Sequence, residues 1–168
     1  MGEIIIDTNV PLVASDEGPE SMVTCPQICR DFLDDLFLGV NALVLDDMRL
    51  ILGEYERAIK GNDQNSYSRQ FLKWIYANES RIKTVVITQI DAYNFEEVPD
   101  SIIQAGFDNS DRKFIAVAVA NQHKAPIVQA SDSKWIGWEA VLRENGIHVE
   151  FLCRDELEAV FRAKQKHS

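Results

Sequence analysis

The stretch Glu3-Ile4-Ile5-Ile6-Asp7-Thr8-Asn9-Val10-Pro11 constrains the fold more than any other part of this chain. Three β-branched residues in a row read as a buried strand, and a carboxylate, a hydroxyl and an amide follow where that strand should end. A lone carboxylate at the edge of a core is costly unless something pairs with it. Asp7 therefore implies partners further along the chain, and Glu54, Asp111 and Asp132 are the candidates.

The order of elements decides whether those residues can meet. Pro11 suits the first turn of a short helix, with Asn9 as its cap. Residues 16–21, with Gly18 and Pro19, read as a loop. A helix over about 26–38 follows, with Ile28, Phe32, Leu36 and Phe37 at helical spacing and Gly39 closing it. Residues 41–45 form a second strand that ends in Asp46-Asp47, a cap for a helix over 47–59 whose core stripe is Met48, Ile51, Leu52, Tyr55 and Ile59. Leu50 and Ala58 widen that stripe, and Glu54 falls inside the widened arc while Glu56 lies on the opposite border. The wheel leaves two readings of Glu54, an inward acid or a half-exposed partner of Arg57.

A helix over 66–80 turns Phe71, Leu72, Ile75 and Tyr76 inward. Trp74 on it is open to core packing or to a homodimer or partner surface. A strand over 83–88 leads into a long connection, 91–107, with a short helical piece near 101–104. Asp108-Asn109-Ser110-Asp111 then introduces a central helix, apolar nearly all round over 114–120. A strand over 125–130 runs straight into Ser131-Asp132. A helix over 134–145 stopped by Gly146, a strand over 147–152 and a last helix over 155–164 complete the chain. Strands alternating with helices predict one domain over 1–168 with an α/β fold: a three-layer, doubly wound, mainly parallel sheet with helices on both faces.

In such a sheet the carboxyl ends of the strands share one edge, where sites form. Asp7 and Asp132 come straight off strand ends, and Asp111 opens a helix that starts at the same edge. Each has a mundane role available: Asp111 complements a helix dipole and Asp132 caps the next helix. Four carboxylates converging on one edge share no mundane role. They repel, and burial raises their pKa values unless cations sit between them. Mg²⁺ or Mn²⁺ with oxygen ligands is the natural partner, since no His or Cys set suits zinc. Two such ions about 4 Å apart activate a water and steady the leaving oxygen of a phosphodiester.

Composition narrows the setting. The net charge of −10, from 27 acids and 17 bases, disfavours phosphate binding unless bound cations offset the acids locally. No signal-like or membrane-length apolar segment is present, so a cytoplasmic protein off the membrane is expected. The three cysteines lack a CxxC pair and are expected to be buried free thiols. The three histidines are scattered and receive no role. No GxGxxG follows the first strand, which disfavours a dinucleotide site.

Four motifs together resemble the PIN-domain family: Ile4-Ile5-Ile6-Asp7-Thr8-Asn9, Leu52-Gly53-Glu54-Tyr55, Asp108-Asn109-Ser110-Asp111-Arg112-Lys113-Phe114 and Ile127-Val128-Gln129-Ala130-Ser131-Asp132. The resemblance covers residues 3–152 and implies a Rossmann-like sheet and metal-dependent phosphodiester hydrolysis, most often of RNA. It implies Asp7, Glu54, Asp111 and Asp132 as catalytic, metal-binding acids, with Thr8, Asn9 and Ser131 as polar support. Arg112 and Lys113, beside Asp111, are the better-placed phosphate contacts, followed by Arg69, Lys73 and Lys134. Some relatives carry a further acid where this chain has Ser133 and Lys134, and Asp108 either substitutes for it or only caps its helix. Many small relatives are toxins held by an antitoxin protein. The rival expectation is a PIN-like module that binds protein or nucleic acid without catalysis.

Overall fold

The computed structural model describes residues 2–167. Its sheet has five parallel strands: β1 (Gly2–Ile6), β2 (Asn41–Asp46), β3 (Lys83–Val85), β4 (Ile127–Gln129) and β5 (Val149–Phe151), in the spatial order β3-β2-β1-β4-β5. Successive side chains of a strand point to opposite faces. Ile4, Ile5 and Ile6 are all buried, so both faces of β1 are covered, and the sheet is the Rossmann-like, doubly wound one expected. The chain builds outward from β1 through β2 to β3, then returns to lay β4 on the other side of β1. That reversal opens a crevice at the carboxyl ends of β1 and β4, the usual place for a site in such sheets.

The helices gather in packed groups. α1 (Asn9–Ala14), α2 (Cys25–Phe37) and α4 (Tyr67–Ala77) pack on one another, while α3 (Leu50–Ala58) and α6 (Arg112–Ala120) meet each other, with α3 over β2 and α6 over β1 and β2. Phe114 to Ala118 on α6 are all buried, as its unbroken apolar run predicts. α5 (Asp100–Gln104) packs on α7 (Lys134–Glu144), and α7 on α8 (Arg154–Lys166). No helix among the described residues is long and apolar enough to cross a membrane.

Several local expectations are corrected. Asn9 does not cap α1; Thr8 occupies that position, because the Asn9 side chain is engaged across the sheet. The third helix starts at Leu50 rather than Asp47, and Asp46, not Asp47, satisfies its free amides, accepting from Leu50 N at 2.8 Å and Ile51 N at 2.9 Å. Met48 therefore lies before the helix and is exposed. Tyr76 is also exposed, its hydroxyl 2.5 Å from Glu56. On α2 the buried stripe is Cys25, Cys29, Leu33 and Leu36, whereas Ile28 is exposed. Bulk alone misplaces that stripe, since cysteine packs as a small hydrophobe. Trp74 packs partly buried against the core, its ring 6.2 Å from that of Phe37.

The cysteines depart furthest from expectation. Cys25 and Cys153 form a disulfide with a Cα separation of 5.5 Å, and only Cys29 is a free, buried thiol. The pairing joins the start of α2 to the residue before α8, a contact between positions 128 apart that no local spacing discloses.

Candidate metal centre

The end of β1 is tied to the end of β4 before any acid is considered. The Asn9 amide donates to Gln129 Oε1, and Asn9 Oδ1 accepts from Ala130 N at 3.0 Å and Ser131 N at 3.3 Å. Gln129 is fully buried and accepts from Asp132 N at 3.3 Å. Together these bonds fix the two turns that carry Asp7 and Asp132. Tyr55, buried on α3, clamps the same strand end by donating to Ile6 O at 2.5 Å.

Asp7 is 6% exposed, and its carboxylate accepts from Asn9 N at 3.0 Å. Burial raises its pKa well above the ordinary range, and the neighbouring charges of Asp111, Glu54 and Asp132 push in the same direction. A 3₁₀ turn, Asn109–Asp111, leads into α6, so Asp111 occupies the position before the helix rather than its first turn, and its side chain makes no capping bond. Its carboxyl is pushed up to about 6, first by burial, then by Asp132 and Glu54, with Lys113 pulling the other way. Near Asp108 and Asp132 in the chain, Phe107 and Trp135 are buried and stack edge to face with ring centroids 5.0 Å apart.

Asp111 and Asp132 are joined by Asp108. Each of the three offers a carboxylate oxygen, and these oxygens lie within 4.8 Å of one another. This donor set suits a hard divalent cation, which takes oxygen ligands from carboxylates. The carboxyls of Asp7 and Asp111 are raised first by burial and then by the neighbouring acids, and a cation among them would offset both costs.

Glu54 sits apart from that triad. It faces inward from α3, as the helical wheel suggests, but its partner is Lys113 rather than Arg57. Lys113 Nζ lies 2.6 Å from Glu54 Oε1, and the Thr8 hydroxyl donates to Oε2. Lys134 pairs with Asp108 from an exposed position on α7. Of the other basic residues, Arg112 is engaged in structure, donating to Asn94 Oδ1 at 2.5 Å and Phe107 O at 3.4 Å. It anchors the 91–107 connection to the start of α6. Arg69 and Lys73 hold the turn before α4, through Gly61 O at 2.7 Å and Gln64 O at 3.0 Å.

Two features escape sequence reasoning. Gln129 is a polar residue closing an apolar strand, and its complete burial makes it the hub of the β1–β4 junction. Tyr93, at the tip of the 91–107 connection, is 51% exposed beside a cleft of about 200 Å³ that Glu54, Arg57, Ser110 and Lys113 also line. It borders a second, more open groove with Asp108. Nothing in the local pattern of 91–107 marks it.

No family model and no curated protein matches the chain. Among solved structures it is similar to that of VapBC2 from Rickettsia felis bound to a DNA fragment from their promoter, at 17% identity, over 89% of this chain and 98% of that one, with a TM-score of 0.46.

Proposed function

We propose that the chain is a single PIN-like domain that hydrolyses phosphodiester bonds in RNA with Mg²⁺ or Mn²⁺. The observation that carries this reading is the convergence of Asp7, Asp111 and Asp132, with Asp108, at the carboxyl ends of β1 and β4, where burial and mutual repulsion raise the pKa values of Asp7 and Asp111. Carboxylates held so close, with only the exposed Lys134 paired to Asp108 among them, suit a cation better than they suit a packed core.

Asp108, Asp111 and Asp132 would hold the ion, with the deeper Asp7 adding its charge from beneath. A bound divalent ion supplies Lewis-acid stabilisation of the phosphodiester and a lowered pKa for water. The residues of the chain do the rest. Thr8 and Lys113 fix Glu54 at the rim. Lys134, exposed and paired only at its tip, is free to turn from Asp108 to an incoming phosphate. Tyr93 offers an exposed ring beside the cleft on which an unpaired base can stack, a mode of binding that favours single strands.

Acting on RNA in the cytoplasm, the protein would keep Cys25 and Cys153 as thiols, since that compartment is reducing. By its resemblance to PIN toxins it would be neutralised by an antitoxin protein, and co-purification with the product of an adjacent gene tests that assignment. The nuclease is tested with labelled single-stranded RNA and matching DNA, in Mn²⁺, Mg²⁺ or EDTA, with Asp7→Asn as control. Cleavage of RNA that requires metal and is lost in the variant is expected. Failure to cleave either strand, with no metal-induced rise in melting temperature, would favour a binding module instead.

A further inference from the structure

Glu54 and Lys113 hold a place in this centre that the acid triad does not explain. Both oxygens of Glu54 are already used by protein donors, Oε1 by Lys113 Nζ at 2.6 Å and Oε2 by the Thr8 hydroxyl. Lys113 is held in turn, donating to Ser110 O and standing 5.3 Å over the Phe114 ring. Its side chain is only 11% exposed, against 56% for Lys134. The two lysines thus make the same kind of pair with different freedom. Lys134 can swing into water, whereas displacing Lys113 would leave a charge on a side chain with little access to solvent, which is strongly unfavourable.

We propose that the Lys113 ammonium is the resident second cation of this centre, fixed on Glu54 where a two-ion nuclease would place another divalent ion, so that the protein works with one Mg²⁺ or Mn²⁺. The assignment rests on the metal-dependent reading above. It follows from charge and geometry. A second divalent ion on Glu54 would have to share an oxygen that already accepts from Lys113 or Thr8, and would have to sit beside a like charge that cannot retreat. An ammonium with a fixed hydrogen bond supplies positive charge at the same point, without needing hydration to be stripped from an ion. Lys113 lies one residue past Arg112 and two past Asp111, so the helix start that carries Asp111 of the triad also carries this counter-charge.

Mn²⁺ binding to the purified full-length chain tests this by calorimetry and by electron paramagnetic resonance. The wild type is expected to bind one ion per chain, with no spin-coupled Mn²⁺ pair even in excess metal. Lys113→Met removes the charge and frees Glu54, so a second ion should appear with a coupled-pair signal. Lys113→Arg, which keeps the charge, should remain at one ion. Glu54→Gln should also remain at one, because Glu54 does not hold the first ion.

A coupled pair in the wild type overturns the proposal, and that reading needs no variant to fold. A folded Lys113→Met that stays at one ion overturns it as well. If neither protein binds Mn²⁺, the metal centre itself fails and this assignment with it. If the expected stoichiometries appear without RNA cleavage, the assignment stands and only the nuclease reading fails.

Discussion

Replacing Asp111 with asparagine, an equally good residue at a helix N-terminus, should make the metal-free protein more stable at pH 8. The Asp111 carboxyl is raised to about 6 from an ordinary 3.8. At roughly 1.4 kcal/mol per pH unit, ionised Asp111 costs the folded chain about 3 kcal/mol. Partial solvent access reduces the net gain to about 2 kcal/mol. For a chain of this size that corresponds to a rise of roughly 4–8 °C in melting temperature.

The direction with pH follows from the same values. A carboxyl whose folded pKa lies above its unfolded one binds more protons in the folded state, so stability falls as pH rises from about 4 through about 6. Below pH 4 both states are protonated, and the advantage of the Asp111→Asn variant over the wild type should vanish. The assay is urea denaturation of both proteins in EDTA at pH 4, 6 and 8, repeated with Mn²⁺. In Mn²⁺ the order should reverse, since the ion stabilises only the chain that binds it. A variant that is no more stable than the wild type in EDTA at pH 8 would refute the claim that burial and neighbouring acids disfavour ionised Asp111.

Three further outcomes are expected. Tyr55→Phe deprives Ile6 O of its buried donor and should cost about 1–3 kcal/mol in urea denaturation; an unchanged midpoint would show that the clamp contributes nothing. Reducing the Cys25–Cys153 disulfide, which spans 128 positions, should lower stability by about 3–5 kcal/mol, and equal denaturation curves with and without dithiothreitol would contradict it. Tyr93→Ala should weaken binding of single-stranded RNA by about 1–3 kcal/mol while leaving the melting temperature unmoved, and unaltered affinity would remove Tyr93 from the binding surface.

The sheet and the placing of Asp7, Asp111 and Asp132 at one edge were legible in the amino-acid order, because both depend on local signals. A run such as Ile4-Ile5-Ile6 can only be buried on two faces, and alternation of strand with helix brings every strand's carboxyl end to the same side. Periodicity placed Glu54 on the edge of the inward arc but left its partner open between the site and Arg57, since position sets only the face a helical residue presents.

What the tertiary structure alone decided is which side chains meet across that edge. Lys113 claims Glu54, Asp108 completes the triad, Arg112 turns to the 91–107 connection, and Cys25 finds Cys153. In each case the choice joins residues between 18 and 128 positions apart, as from Arg112 to Asn94 and from Cys25 to Cys153. Periodicity specifies a face but not its partner, because the partner depends on the packing distance and angle between elements, which arise only when the whole core closes.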